Sequence, residues 1–460
     1  MDINIIGIKA LQLLCCFCLL VVLHEGGHFL FCKLFGVRVE KCFIFYDPKF
    51  HLFSTKDRWF TRLFPRFLKS ETEYGIGWLP LGGYVKIAGM IDESMDKEQM
   101  RQEARPDEFR SQKVWKRFLI MVGGVLVNLV TAFVIFSAVM LHWGEDVLPM
   151  RNIEAGFAFN EAAEEIGFRD GDIPVKVNGK EIRGYSATLI RDFSRAKTVT
   201  VLRHGKDVTL KMPDKGLNMM DMLDMEPAFF TPLAEAVIDS VLPGSPADLA
   251  GLTKGSRIMA VDGKEMAYWS DYDSLMAGRT EREMTLVLAR PAGGLLDTLS
   301  LTLDEDMKMG VVRRMPIGEE QIEHITYNAL TCVPAGMRHG WEVLAGYVSD
   351  LRYIFTAKGV KSVGSFITIG SIFPDTWDWL RFWSLTAFIS IILAVMNILP
   401  IPALDGGHVA ILLYEWIAGR EPSERVMVWL EYIGLGIIVA LMVLAFGNDI
   451  VRWVLPHFGM

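Results

Sequence analysis

Four runs of apolar residues, each long enough to cross a bilayer, interrupt an otherwise charged chain, and they leave few architectures open. A membrane helix needs about 20 residues. The first run extends from about Ile3 to Phe35 and the second from Phe118 to Leu141. The third begins near Phe382, stays uncharged to Pro400 and continues past Asp405 toward Trp416. The fourth covers about Tyr432 to Gly447. These runs explain how 460 residues reach a mean hydropathy of +0.28 with 51% hydrophobic residues, while 22% charged residues require water-soluble modules between them. A net charge of −8 argues against a nucleic-acid-binding protein, which normally carries a basic face. Cys15, Cys16, Cys18, Cys32 and Cys42 lie in or beside the first run, so they read as free thiols rather than a disulfide framework; Cys332 stands apart. The first run lacks a basic n-region and a small-residue cleavage site, which opposes a cleaved signal peptide.

Orientation follows from the basic residues nearest the spans. Arg38, Lys41, Lys49, Arg105, Arg110, Lys113, Lys116 and Arg117 lie between spans one and two, and Arg420 and Arg425 between three and four. Glu145 and Asp146 follow span two, and Asp375 and Asp378 precede span three. Residues 36–117 and 414–427 are therefore expected in the cytoplasm, with both termini and 143–380 on the opposite side.

Within the first span, His24-Glu25-Gly26-Gly27-His28 fits His-Glu-x-x-His. Positions i and i+4 share a helix face, so two imidazoles can hold one zinc ion while Glu25 reaches a water beside it. Ionisable residues inside a membrane helix are costly unless they line a polar cavity or bind a partner. The competing reading is a polar packing cluster, or an end-of-helix group reaching the interface. Catalytic zinc usually has three protein ligands, so a third is required at the same depth. Asn397-Ile398-Leu399-Pro400-Ile401-Pro402-Ala403-Leu404-Asp405-Gly406-Gly407 offers one in Asp405. Spans one and three run in the same direction, and His24 and Asp405 both lie about 30 Å along theirs at about 1.5 Å per helical residue. A helix break followed by a turn would also explain the prolines and glycines, though not an acid inside an apolar span.

With both motifs in the expected order, the chain resembles the site-2 proteases over nearly its whole length, and among them the bacterial regulator of sigma-E protease type. The resemblance implies His24, His28 and Asp405 as ligands of one catalytic Zn2+ and Glu25 as the catalytic acid/base. It implies that Asn397, Pro400 and Pro402 shape the substrate-binding site. Tyr74-Gly75-Ile76-Gly77-Trp78-Leu79-Pro80-Leu81-Gly82-Gly83-Tyr84-Val85-Lys86 matches the family's Gly-x-Gly loop, which re-enters the membrane beside the active site and would hold substrate along Gly75 and Gly77. Alternating apolar residues and glycines suit a turning strand there, and an ordinary cytoplasmic hairpin would show the same pattern. In Gly123-Gly124-Val125-Leu126-Val127-Asn128 the proline common after the glycines is missing; Asn128 faces either the polar cavity or, as the small residues favour, a helix-packing surface.

The expected fold is a polytopic α-helical membrane protein with about four transmembrane helices, a re-entrant β-loop and two inserted PDZ-like α+β domains. Its divisions read as 1–35 for the first span, 36–117 for the cytoplasmic and re-entrant region and 118–142 for the second span. Next come 143–220 and 221–305 for the PDZ-like domains, and 306–381 for a linking region packed on the membrane face. The last are 382–416 for the third span and 428–452 for the fourth. The PDZ-like reading rests on Ala163–Ile173 with Val177-Asn178-Gly179-Lys180, and on Pro243–Leu252 with Lys254–Ile258 and Val261-Asp262-Gly263, where Ser256 replaces a common Asp. The resemblance implies a bacterial inner-membrane enzyme with its active site toward the cytoplasm. Its partners would be the lipid bilayer and single-pass membrane proteins, such as anti-sigma factors or remnant signal peptides, already trimmed by another protease. Three other readings fit less well. A prenyl-protein-type peptidase would use a Glu as third ligand, a PDZ scaffold has no need of Glu25, and an ion transporter would show paired broken helices.

Overall fold

The computed structural model describes residues 3–66, 70–79, 82–90, 103–186, 188–290 and 296–454. Pro80 and Leu81 of the Gly-x-Gly motif lie outside the described residues. The chain divides into two compact units, Met1–Gly144 with Thr326–Met460, and Glu145–Ile325.

In the first unit, α1 (Ile3–Phe35) ends where Gly36 adopts a φ of +72° that a side chain would resist. Strands β1 (Val39–Ile44) and β2 (Tyr46–Ser54), helix α2 (Arg58–Leu63), and strands β3 (Glu73–Leu79) and β4 (Tyr84–Ile87) follow. The four strands form one sheet in the order β2-β3-β1-β4, with β1 and β3 parallel. This differs from a simple hairpin loop. Its interior strand β3 carries Gly75 under the Phe43 ring and Gly77 against the backbone of Phe45 and Tyr46, where a Cβ would collide. Helix α3 (Val114–Trp143) then packs on α1 where Gly27 meets Gly123 and Gly124, small residues letting two backbones approach closely.

The second unit holds two repeats of one element order, except that the first has an extra helix, Met219–Leu223, before its closing strand. The ribbon strand β5 (Glu145–Val147) leads into β6 (Phe157–Phe159), α4 (Glu161–Ile166), β7 (Ile173–Val177), β8 (Lys180–Glu181), α5 (Leu189–Ser194), β9 (Thr198–Arg203), β10 (Lys206–Lys211), α6 (Met219–Leu223) and β11 (Phe230–Pro232). The second repeat runs through β12 (Ile238–Val241), α7 (Pro246–Leu249), β13 (Arg257–Val261), β14 (Lys264–Glu265), α8 (Trp269–Met276), β15 (Glu283–Ala289), β16 (Asp297–Thr302) and β17 (Val311–Arg313). Each repeat has a four-stranded sheet, β10-β9-β7-β8 or β14-β13-β15-β16, and a strand pair, β11-β6 or β12-β17. Each also buries its own core, one around Phe157, Phe168 and Phe193 and the other around Ile258, Trp269 and Leu286. The closing strands carry the repeats to Pro232 and Arg313, beyond the boundaries at 220 and 305 read from the motifs. A strand that returns from far along the chain leaves no local mark of where it pairs. Asp172, buried, accepts from Nε and Nη2 of Arg203 at 2.7 Å, whereas the Ser256 hydroxyl at the matching position meets the Thr253 hydroxyl at 3.1 Å. Strand β18 (Glu323–Ile325) pairs with β5.

The first unit resumes with α9 (Cys332–Asp350), α10 (Ala357–Ser362), α11 (Phe366–Ser371), α12 (Trp379–Ile398), α13 (Asp405–Ala418) and α14 (Glu424–Asp449). Helix α9, in the segment read as a linking region, lies along α3. Gly336 rests on Ser137 and Gly340 on Phe133, and Tyr347 meets Phe388 of α12 edge-on. Among the described residues, four helices are long and apolar enough to cross a membrane: Asn4–Phe35, Val114–Trp143, Trp379–Ile398 and Arg425–Arg452. The second and fourth extend past their uncharged runs because the structure satisfies the charges at their ends. Arg117 donates to Glu415 and, at 3.1 Å, to Glu421. Asp449 accepts from the backbone N–H and hydroxyl of both Ser365 and Thr368, capping α11. All six cysteines are free.

Candidate metal centre

Helix α1 puts His24 and His28 one turn apart on the face toward α3. The third histidine-facing group arrives by a different device. Pro400 and Pro402 cannot continue α12, so the chain turns through 399–404, with Ala403 at a φ of +71° that is strained for a residue with a Cβ. Gly406 and Gly407 then press against the carbonyls of Leu399 and Ile401, where no side chain would fit. The result is that α13 starts at Asp405, with its carboxylate at a helix N-terminus, where the dipole favours negative charge.

Asp405 Oδ2 lies 3.0 Å from His24 Nε2 and 3.2 Å from His28 Nε2, and the two Nε2 atoms are 3.4 Å apart. Among the described residues this is the one group of three metal-binding side chains. Four ligands on a tetrahedral zinc with bonds of about 2.0–2.1 Å stand about 3.3 Å from one another, so the triangle has the right size. Its chemistry fits as well. His28 Nδ1 lies 2.9 Å from the Ile120 carbonyl, which can only accept, so Nδ1 carries the proton and Nε2 presents a lone pair. That lone pair faces a carboxylate oxygen that is buried without a hydrogen-bond partner. Converging acceptors at this range repel unless a cation lies among them.

Glu25 is beside this triangle, its carboxylate facing the backbone N–H of Val85 on β4. Asn397, at the end of α12, places Nδ2 3.2 Å from His24 Nε2. Pro402 is wedged between Gly407 and Gly434 of α14, while Pro400 is exposed. Gly75 and Gly77 are not brought into this cluster. They sit on β3, which is paired with β1 on one side and β2 on the other, so an added strand has no open edge there. The open edges belong to β2 and β4, and β4 is the one beside Glu25.

Two residues of α3 complete the surroundings. Asn128, fully buried, reaches His24 Nδ1 at 3.2 Å, so of its two sequence readings the structure selects the polar one. Gly124 lies under both imidazoles, and a Cβ there would come within 2.5 Å of His28 Nε2 and 2.6 Å of the His24 ring. The glycines pack helices, as the sequence indicates, but their contact with the histidines could be found only in three dimensions. Gly124→Ala is expected to weaken zinc binding by more than tenfold, as measured by zinc content under chelator competition. Gly436→Ala, in open space on another apolar helix, should leave it unchanged. Equal zinc retention in both variants would remove Gly124 from the site.

The sequence pattern of peptidase family M50 matches residues 12–441. Among curated proteins, the chain is 28% identical to the regulator of sigma-E protease RseP of Escherichia coli, with 94% of this chain and 96% of the relative covered. Protease RseP of Yersinia pestis shows the same identity over 94% and 96%. A Neisseria meningitidis protein bearing the name of a zinc metalloprotease is also 28% identical, over 94% and 97%.

Proposed function

The chain belongs to peptidase family M50 and is a zinc metalloprotease; from that premise we propose that it hydrolyses a peptide bond inside the membrane segment of single-pass proteins. The observation that carries this reading is the triangle of His24, His28 and Asp405 beside Glu25, with the histidines and Glu25 on α1, a helix apolar enough to cross a bilayer. The relatives named as regulators of sigma-E protease support substrates of the anti-sigma-factor type, and remnant signal peptides share the same single-helix chemistry. Basic residues flanking the spans support an orientation with 36–117 and the site toward the cytoplasm and the termini and repeats outside, and the relatives support a bacterial inner membrane. The two repeats, each with its own core, suit PDZ-like domains that exclude substrates with bulky outer portions, so that substrates arrive trimmed by another protease.

His24, His28 and Asp405 would hold the zinc ion, which when bound supplies Lewis acidity and makes a neighbouring water more acidic. Glu25 takes a proton from the attacking water and delivers it to the departing amine nitrogen. A helical substrate hides its carbonyls in hydrogen bonds, so the scissile stretch must unwind, and its freed backbone groups need partners in a setting without water. The open edge of β4 (Tyr84–Ile87) supplies them, replacing the interior Gly75–Gly77 strand in that role. The Asn397 amide nitrogen donates to the substrate carbonyl as negative charge grows on its oxygen.

Purified protein reconstituted in lipid with a single-pass substrate stripped of its outer domain is expected to cut within the membrane segment, with the site mapped by mass spectrometry. Asn397→Ala should lower kcat by about 10²–10³-fold while zinc content is unchanged. Cuts confined to water-exposed sequence would defeat the proposal. Loss of zinc in Asn397→Ala would make that residue a support of the metal instead of the substrate.

A further inference from the structure

The polar surroundings of His24 contain one group that neither the metal triangle nor the proton transfer uses. Asn128 is on α3, 0% exposed, inside a helix apolar enough to cross a membrane. Its side chain meets the Nδ1 nitrogen of His24, the one pointing away from the triangle, at 3.2 Å. Its backbone is pinned as well, since the Ser390 hydroxyl of α12 donates to the Asn128 carbonyl at 2.7 Å. With Nδ2 forward the amide donates to Nδ1, and its oxygen stays buried without a partner.

Those two facts have one solution once a cation occupies the triangle, and the inference rests on the metal reading above. A neutral imidazole bears one proton. If Nε2 presents its lone pair to a cation, Nδ1 must hold the proton and needs an acceptor. Half a turn of the Asn128 amide about its last bond brings the oxygen to Nδ1–H, the acceptor that a metal-facing Nε2 requires. With the nitrogen forward, Nδ1 presents its lone pair and the proton belongs on Nε2, which then has no lone pair for a cation. His28 has no such choice, because a backbone carbonyl fixes its tautomer.

We propose that Asn128 is a positioning residue that sets the tautomer of His24, its amide oxygen accepting from Nδ1–H and so turning the Nε2 lone pair toward zinc. His28 is set permanently by the fold, and His24 is set by a side chain that can turn over. Outer partners of metal-bound histidines typically account for 10–100-fold in metal affinity.

The test uses the full chain in detergent or lipid, with zinc content measured after equilibration against graded chelator. Asn128→Leu, close in size but without an acceptor, should bind zinc about 10–100-fold more weakly. Asn128→Ala should do the same, and covers the case in which leucine disturbs the fold. Asn128→Asp, which keeps an acceptor at Nδ1, should stay within a few-fold of the wild type or exceed it. A packing role reverses that order, since a buried carboxylate disturbs an apolar helix more than leucine does. Asp below Leu, or Leu equal to wild type, would therefore overturn the proposal while leaving the metal centre standing. Wild-type protein without zinc, or His24→Ala retaining it fully, would overturn the metal reading and the tautomer role with it.

Discussion

Glu25→Gln is expected to keep a full complement of zinc and to lose about 10²–10⁴-fold in cleavage rate, the usual contribution of a placed acid/base. Glutamine has nearly the shape of glutamate, so α1 and the contact with β4 survive, and Glu25 is not one of the three converging donors. What disappears is a group that can accept a proton from water and release it to the amine. The check is zinc content together with single-turnover cleavage of a membrane-embedded substrate. Undiminished cleavage would assign proton transfer elsewhere, and joint loss of zinc and activity would make Glu25 a ligand.

Asp405→Ala is expected to bring zinc from about one ion per chain to near zero and proteolysis to background. The site would retain two imidazoles and no negative charge, and a divalent cation in a setting of low dielectric needs both the third donor and its charge. The chain around it should hold. Gly406 and Gly407 still seat the first turn of α13 on Leu399 and Ile401, and Arg117 still anchors that helix through Glu415. Thermal unfolding compared with wild type stripped by chelator separates loss of metal from loss of fold. Zinc bound at the wild-type level would show that the carboxylate is no ligand.

The membrane core was legible in the sequence because hydrocarbon imposes a length and a polarity on every segment that crosses it. The first, second and fourth apolar runs became single helices and the third became α12 and, after the proline break, α13, and the acids and histidines in the first and third runs marked the chemistry before any geometry was known. The ends of those helices were less visible. Arg117, Glu415 and Asp449 sit in or beside apolar runs and look like stop signals until their partners from distant segments are in view. The Gly-x-Gly stretch shows the same limit. Its alternation signals a strand, yet an edge and an interior strand share that pattern, and only the pairing of β3 with both β1 and β2 decides which it is.

The amino-acid sequence by itself determined that two histidines share one helix face, that an acid follows a proline-broken helix at similar depth, and that charged modules separate the spans. Each of these depends on spacing along the chain, which helical periodicity converts directly into position. Only the tertiary structure decided that Asp405 closes the triangle, that Gly124 must lack a side chain beneath it, and that Asn128 faces one histidine and not another. These depend on how α3 crosses α1 and how α13 returns after the break. Such contacts join residues about a hundred or more positions apart, and no local pattern encodes the angle at which two helices meet.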